Sequence, residues 1–300
     1  MRRRDFLATA ALAPVFAQPT PTRFQIACMT LPYSAFPLER ALTGIRGAGY
    51  EFVAWGVTHR DSTGANKPVL ALEAKPSEAA KLSARCRDLG LESVMMFSTV
   101  NFEEANAIDA HRRRIDQAHA AKIPFMITFG KTTTGGYDTV IRNLKGVADH
   151  ARSAGVTIGI KQHGGNTATG EDCSQIIADV GHPAVRMCYD AGNVLDYENH
   201  DPIPDIQKCW RDIRGFAVKD HRNVPKDEDC GIGFGEIDHY KLFLPVMRTG
   251  LTMPLAAENI FEPLVPRPAA PEGVDRLARR SREFLQSVLS GLERSLNPTA

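Results

Sequence analysis

The sequence lacks the patterns of several common classes of protein. Its six cysteines include no C-x-x-C pair, which argues against a zinc ribbon or a dithiol redox motif. Lysine and arginine total 36 against 35 aspartates and glutamates, so no excess charge indicates a nucleic-acid or membrane partner. Beyond the N-terminal segment, no apolar run is long enough to span a bilayer. No G-x-S-x-G sequence occurs, so serine hydrolase chemistry has no support.

The N-terminal segment contains the parts of an export signal in the right order. A basic start precedes a short apolar run from Phe6 to Phe16, and small residues follow near Ala17. The stretch Arg3-Arg4-Asp5-Phe6-Leu7 resembles a twin-arginine signal. We therefore expect residues 1–18 to direct the protein to the periplasm, or otherwise out of the cytoplasm, and to be removed there. Residues 19–300 are then expected to form one domain with no membrane partner.

Eight short apolar runs alternate with segments of helical periodicity along the rest of the chain. Most of the runs are apolar on both faces, as parallel strands are when helices cover them. This alternation predicts a (β/α)8 TIM barrel, with an open, doubly wound sheet as the alternative. The predicted strands are Phe24–Thr30, Glu51–Trp55, Leu91–Ser98, Pro124–Gly130, Val156–His163, Ala184–Asp190, Arg214–Asp220 and Pro254–Asn259.

Polar and ionisable residues stand where several of the predicted strands end. In a TIM barrel these ends meet at one mouth, where the active site lies. Some of these residues could have a purely structural role instead, because a strand-end Asp such as Asp190 often caps the next turn or helix. Glu258 is harder to explain in this way, since an unpaired carboxylate at the end of a buried strand is costly. The polar strand-end residues are Lys161, His163, Asp190, Lys219, Asp220, His221 and Glu258, with Asn193 shortly after the sixth strand.

Four short motifs in this region resemble those of the xylose isomerase-like TIM barrel superfamily. They read CYDAGN at 188–193, VKDH at 218–221, GFGEID at 233–238 and LAAEN at 255–259. The superfamily includes sugar isomerases, epimerases, hydroxypyruvate isomerase and the endonuclease IV branch. The resemblance extends over nearly the whole mature chain and implies a TIM barrel that acts on a small carbohydrate.

The resemblance also implies a metal site, from which this sequence departs at two positions. In metal-dependent members, a Glu, an Asp, a His and a Glu at the ends of strands five to eight hold a divalent ion, and the two glutamates move a proton beside a carbonyl. Asp190 and Glu258 match two of these ligands. The strand-five motif E-x-H reads Lys161-Gln162-His163, and Ala217 stands where the strand-seven histidine is expected.

These departures leave two alternatives for the cofactor. A divalent metal (Mn, Co, Zn or Mg) could still bind Asp190 and Glu258 together with His163 or His221, because mixed nitrogen and oxygen ligands suit several of these ions. Alternatively, the Lys161 ammonium takes the place of the metal and stabilises a developing enediolate by its charge.

We hypothesise a sugar or keto-sugar isomerase or epimerase that abstracts a proton α to a carbonyl. Glu258 is the candidate base, Lys161 or a metal polarises the oxygen, and His163 binds hydroxyls or relays a proton. A keto-glycoside lyase would begin with the same step, and a sugar-binding barrel without catalysis would explain the missing ligands. An endonuclease would need a multi-zinc site and a basic groove, neither of which is convincing here. The candidate substrate-binding residues are Asn193, Lys219, His221 and Trp55, with Phe97 as a second aromatic side chain.

Overall fold

A computed structural model describes residues 20–296, so the predicted export signal lies outside the described residues. Eight parallel strands close into a barrel in which β1 lies between β2 and β8. The predicted TIM barrel is therefore confirmed, and the open-sheet alternative is wrong because the first and last strands pair. The strands are β1 (Arg23–Met29), β2 (Phe52–Trp55), β3 (Glu92–Phe97), β4 (Phe125–Thr128), β5 (Thr157–Lys161), β6 (Val185–Tyr189), β7 (Ile213–Val218) and β8 (Thr252–Ala257).

Nine α-helices lie among the described residues, most of them between successive strands of the barrel. Pro245 has no backbone N–H, and the chain at this point passes from α8 into a 3-10 turn, Leu244–Val246. The helices are α1 (Leu38–Gly47), α2 (Pro76–Asp88), α3 (Ala107–Ala121), α4 (Tyr137–Ser153), α5 (Gly170–Val180), α6 (Ala191–Glu198), α7 (Pro202–Cys209), α8 (His239–Phe243) and α9 (Pro271–Leu296).

Two antiparallel hairpins extend the C-terminal end of the barrel. The β2 hairpin pairs Thr58–Arg60 with Asn66–Pro68. The β7 hairpin pairs Asp220–Arg222 with Glu228–Cys230 and follows directly from β7. Both hairpins are additions to the βα loops, which carry the functional residues in this fold.

The core has two layers, because alternate strand residues face the barrel interior or the surrounding helices. The interior layer combines small residues such as Ala27, Ala217 and Ala256 with the large ring of Phe125. Gly159 makes room for this ring, since a Cβ atom at position 159 would lie 2.4 Å from Phe125 Cζ. The outer layer is larger and is filled by aliphatic and aromatic side chains of strands and helices.

All six cysteines are buried and none is paired in a disulfide. Cys188 belongs to the barrel interior, and Cys28 to the layer between barrel and helices. Both are therefore small residues of the core.

None of the helices between residues 20 and 296 combines the length and the hydropathy needed to cross a membrane.

Candidate active site

Four ionisable side chains continue the interior face of the barrel into its C-terminal mouth. Each stands two residues beyond a residue that faces the interior, so strand alternation directs it towards the barrel axis. Lys161 ends β5, and the other three directly follow their strands. The four residues are Lys161, Asp190, Lys219 and Glu258, and the interior residues below them are Gly159, Cys188, Ala217 and Ala256.

Lys161 lies at the centre of a compact ion cluster formed with two of these residues. Its Nζ is 2.8 Å from Asp190 Oδ2 and 2.8 Å from each carboxylate oxygen of Glu258. The Lys161 and Asp190 side chains are buried, whereas the Glu258 side chain is 12% exposed. Glu258 is therefore the member of the cluster that solvent, and hence a substrate, can reach most easily.

The charges in this cluster separate the pKa values of the two acids. Burial disfavours the Lys161 ammonium, but the carboxylates of Asp190 and Glu258 outweigh burial and raise the pKa of Lys161 above its ordinary value. Burial also opposes ionisation of Asp190, yet the ammonium groups of Lys161 and Lys219 lower its pKa. For Glu258, burial and the neighbouring Asp190 charge prevail and raise the pKa. Asp190 is thus the stronger acid and Glu258 the more basic carboxylate.

The family's metal ion does not fit between Asp190 and Glu258 in this protein. The Lys161 ammonium contacts both carboxylates there, and a divalent cation in the same place would meet a buried positive charge. Ala217, which stands at the expected histidine position, has no ligand atom to offer. His163 turns its Nδ1 to the Gly130 carbonyl oxygen, 3.2 Å away, and within residues 20–296 it forms no ion pair with either acid.

Asn193 and Gln162 hold the ends of β5 and β6 together. Asn193 donates its backbone N–H to Asp190 Oδ1 at 3.0 Å and its side-chain Nδ2 to the Gln162 carbonyl oxygen at 2.5 Å. Gln162 Oε1 accepts from the Asp190 backbone N–H at 2.8 Å. The side-chain amide of Asn193 is thus bonded to a backbone carbonyl oxygen, and the backbone N–H of Asn193 helps to hold the Asp190 carboxylate in place. Gln162 was not singled out from the sequence, although it is a polar residue between two candidate site residues.

Lys219 joins the mouth, whereas His221 is set back in the β7 hairpin. The Lys219 ammonium donates a hydrogen bond to Asp229 Oδ2. Burial would lower the pKa of Lys219, but the charges of Asp190 and Glu258 raise it above the ordinary value. His221 is fully buried, with its Nδ1 3.2 Å from Asp229 Oδ1.

Asp220 holds the loop that follows the β7 hairpin and is fully buried. Its carboxylate accepts hydrogen bonds from the backbone N–H of Gly233 at 3.0 Å and of Ile237 at 3.2 Å. The VKDH and GFGEID motifs are thus linked through one side chain, which has a structural task.

Trp55 is not brought to the mouth. It is 2% exposed, belongs to the layer between barrel and helices, and donates its indole N–H to Ser93 Oγ at 3.0 Å. Phe97 instead lies in the barrel interior with its ring centroid 5.9 Å from Lys161 Nζ.

A series of rings lines one side of the mouth, and we call it the aromatic wall. The His163 ring centroid lies 4.2 Å from that of Phe129 and 5.4 Å from that of Tyr197. Phe129 in turn meets Phe97 edge to face at 6.4 Å. Phe129 and Tyr197 were not expected from the sequence. Phe129 could have been found, because it stands two residues beyond Ile127, which faces the barrel interior.

A cavity of about 250 Å³ opens beside the ion cluster. Charged, amide and aromatic groups line it together, which suits a small polar ligand. A larger cavity, of about 630 Å³, lies at the opposite, N-terminal end of the barrel, where catalytic residues of this fold are not found. The smaller cavity is lined by Leu31, Pro32, Ser34, Lys219, Asp229, Glu258, Asn259, Phe261 and Arg267.

The protein is a closed (β/α)8 barrel with carboxylates at the ends of β6 and β8, and these lie at the C-terminal mouth, where TIM-barrel enzymes have their active sites. Residues 44–286 match the family model of the xylose isomerase-like TIM barrel, and the chain belongs to this family. The resemblance expected from the four sequence motifs is thereby confirmed.

Solved structures with the same fold include sugar epimerases. L-ribulose 3-epimerase is 17% identical, with a TM-score of 0.70 over 92% of this chain and 97% of that chain. A D-allulose 3-epimerase from Methylomonas sp., in complex with D-allulose, is 13% identical, with a TM-score of 0.65 over 91% of this chain and 99% of that chain. A xylose isomerase-like TIM barrel protein from Mycobacterium smegmatis, in complex with magnesium, is 16% identical, with a TM-score of 0.68 over 91% and 97% of the two chains. Curated proteins include no match to this sequence.

Proposed function

We propose that the protein is an isomerase of a sugar or keto-sugar that abstracts a proton α to a carbonyl. The observation that carries the proposal is the Lys161 ammonium, 2.8 Å from both oxygens of Glu258 and from Asp190. This arrangement places a fixed positive charge beside a reachable carboxylate in a largely buried site. Proton abstraction next to a carbonyl needs such a pair, because a base removes the proton while negative charge develops on the oxygen.

Glu258 is the better base of the two acids. Its raised pKa makes it the more basic carboxylate, and a catalytic base works best when its pKa approaches the working pH. It is also the more exposed of the two, since the Asp190 side chain is fully buried. Asp190 has a lowered pKa and accepts a backbone hydrogen bond at the start of α6, so it stays ionised and orients Lys161.

Lys161 acts by its charge rather than as a proton donor. Its raised pKa keeps the ammonium protonated, and the two carboxylates fix its position. A substrate carbonyl oxygen that reaches this ammonium would gain stabilisation as it becomes an enediolate oxygen. A preorganised group of this kind contributes about 10²–10³-fold to the rate in enzymes where one has been removed.

The replacement of the strand-five glutamate by Lys161 supports chemistry on one face of the substrate. An epimerase that uses two bases requires a second proton carrier opposite Glu258, and a lysine with a raised pKa is a poor one. A single carboxylate suffices for aldose–ketose isomerisation, in which the proton leaves and returns on the same face. A keto-glycoside lyase would share the first step, but its second step would expel the group β to the carbonyl and form a C=C bond instead of returning the proton.

The surroundings of the ion cluster support a small carbohydrate as substrate. The aromatic wall offers apolar faces, and the adjoining cavity supplies hydrogen-bonding groups from Lys219, Glu258 and Asn259. One neighbour of the same fold is a ribulose epimerase and another is solved with D-allulose, which supports ketoses as the first candidates.

The test is proton exchange in D2O. Mature protein is incubated with a panel of ketoses and keto-glycosides, and NMR follows loss of the α-proton signal. We expect exchange accompanied by an isomeric aldose or ketose, and loss of at least about 100-fold in rate for Glu258→Gln. Glu262→Gln, an exposed glutamate four residues further on, is the matched control and should keep the rate.

Three results would contradict the proposal. Unchanged exchange in Glu258→Gln would exclude Glu258 as the base. An unsaturated product would identify a lyase, and binding without exchange across the panel would identify a sugar-binding barrel without catalysis.

A further inference from the structure

A buried arginine and a small cavity lie together next to the β2 hairpin. Arg114 is the last of three consecutive arginines on α3, and it is 9% exposed, whereas Arg112 and Arg113 are exposed. It lines a cavity of about 80 Å³, whose other walls come from the ends of β2 and β3 and from the chain that leaves the hairpin. Thr99 adds a hydroxyl, and among the described residues no carboxylate lines this cavity.

The charge of Arg114 has no counterion in contact with it. Within residues 20–296 its guanidinium donates only to neutral acceptors, which belong to Leu70 and Gln117. Burial lowers the pKa of Arg114, and the charge of the exposed Glu73 raises it in part. A guanidinium stays protonated at neutral pH even so. Because a buried charge without a partner is costly, an anion in the cavity would stabilise the fold.

Part of the guanidinium is free to bind a ligand. Nη1 donates to the Leu70 carbonyl oxygen at 3.0 Å and to Gln117 Oε1 at 2.8 Å, which uses both of its protons. Nε and Nη2 donate to no acceptor among residues 20–296, and neither is fully enclosed by protein. The N–H groups of Nε and Nη2 share one edge of the planar guanidinium, and such a fork matches the two oxygens of a carboxylate.

The guanidinium is held in place before any ligand arrives. Gln117, which accepts from Arg114, donates its Nε2 to the carbonyl oxygens of Ala71 at 3.0 Å and Ala74 at 2.8 Å. Both side chains are therefore fastened to the loop that leads from the β2 hairpin to α2. A group that is already ordered loses little conformational freedom when it binds, which favours affinity.

The size and the lining of the cavity select a small monovalent anion. One water needs about 10–15 Å³, so 80 Å³ admits an anion of a few heavy atoms, but it lies far below the roughly 300–1,000 Å³ of sites for larger ligands. A divalent anion would bring one charge more than a single guanidinium balances. Val69 and Met96 offer apolar contacts to a short alkyl group.

We propose that Arg114 and this cavity bind a short-chain monocarboxylate, such as acetate, through a bidentate pair of hydrogen bonds from Nε and Nη2. The cavity also borders Phe97, whose ring centroid lies 5.9 Å from Lys161 Nζ. The site therefore adjoins the candidate active site but uses none of its ionisable residues.

The test is a titration of the mature protein with sodium acetate, in a buffer free of other carboxylates, followed by calorimetry and by thermal unfolding. We expect one equivalent to bind, and Tm to rise by about 5 °C at an acetate concentration about 100 times the dissociation constant. Arg114→Met should weaken binding at least about tenfold and remove the rise in Tm. Arg114→Lys keeps a charge but loses the fork, so it should weaken binding as well. The matched control is Arg113→Met, which alters the exposed neighbour and should change neither result.

A variant that keeps the guanidinium makes the test independent of Arg114 substitutions. Val69→Phe fills the cavity and should exclude acetate, and its Tm without acetate shows that it has folded. The proposal is wrong if acetate does not bind, or if it binds Arg114→Met as tightly as the wild type. Chloride that binds at least as tightly as acetate would also contradict it, because the site would then be a halide site. Since no sugar is used, the outcome does not depend on the proposed isomerase activity.

Discussion

Replacement of Lys161 by methionine tests the ion cluster most directly. Lys161→Met keeps an unbranched side chain of similar length and removes the charge that lies 2.8 Å from Asp190 and Glu258. Two buried carboxylates then face each other without a counterion, apart from the more distant Lys219. Removing one partner of a buried ion pair costs about 3–5 kcal/mol, because the remaining charge stays desolvated.

The loss of stability should depend on pH in a defined direction. In the wild type, Lys161 and Lys219 lower the pKa of Asp190. Ionised Asp190 therefore stabilises the folded state at pH values above the ordinary pKa of a carboxyl group, and this contribution is lost as pH falls through the lowered pKa. In Lys161→Met the pKa of both acids should rise, since burial then dominates. A carboxyl with a raised pKa loses its stabilising contribution as pH increases through that pKa. The difference between variant and wild type is therefore largest near pH 7 and shrinks towards pH 4.

Thermal unfolding at pH 7 and at pH 4.5 measures this difference. At roughly 2 °C per kcal/mol for a chain of this size, we expect Tm to fall by about 6–10 °C at pH 7 and by clearly less at pH 4.5. The double variant Lys161→Met/Glu258→Gln is the control, because it also removes one of the unpaired carboxylates and should recover part of the loss. An equal Tm at pH 7, or a deficit that does not change with pH, would refute the reasoning.

Three further predictions follow from single contacts. Lys161→Glu restores the acid of the family motif, and this variant should bind added Mn²⁺ or Co²⁺ between Asp190 and Glu258 and lose native activity. Calorimetry measures the metal binding and the exchange assay measures the activity. Full activity in this variant would count against a catalytic role for Lys161. Trp55→Phe removes the indole N–H bonded to Ser93 and should lower the free energy of unfolding by about 1 kcal/mol without changing KM, so an increased KM would reveal a substrate contact. Gly159→Ala places a Cβ atom 2.4 Å from a ring atom of Phe125 and should cost about 1–3 kcal/mol in urea unfolding; an unaltered midpoint would show that the interior has unexpected space.

The barrel could be predicted from the sequence because its signal is repeated eight times. Each predicted strand overlaps an observed one, as Glu51–Trp55 overlaps β2 at Phe52–Trp55. The convergence of Lys161, Asp190, Lys219 and Glu258 also followed from strand ends, since a closed barrel brings all such ends to one mouth.

Other parts of the site could not be predicted, because they depend on which way a side chain turns. Trp55 ends a strand, as Lys161 does, but strand alternation directs it to the helices instead of the mouth. His221 follows β7 by only three residues, yet the hairpin that begins at Asp220 carries it away from the axis. Asp229 lies opposite His221 within the hairpin, and Asp196 approaches it only through the packing of α6 on that hairpin, which no local pattern encodes.

Because its six cysteines are unpaired, the protein's sensitivity to oxidation depends on whether the chain folds before or after it meets an oxidant. Burial raises the pKa of the Cys173 and Cys188 thiols, so the reactive thiolate is scarce in the native state and oxidants have no access to it. An unfolded chain exposes all six thiols, and every disulfide it forms is one that the native structure lacks. A chain that folds before it meets an oxidant therefore keeps its thiols reduced, whereas a chain that is oxidised before it folds is held in non-native conformations by its disulfides.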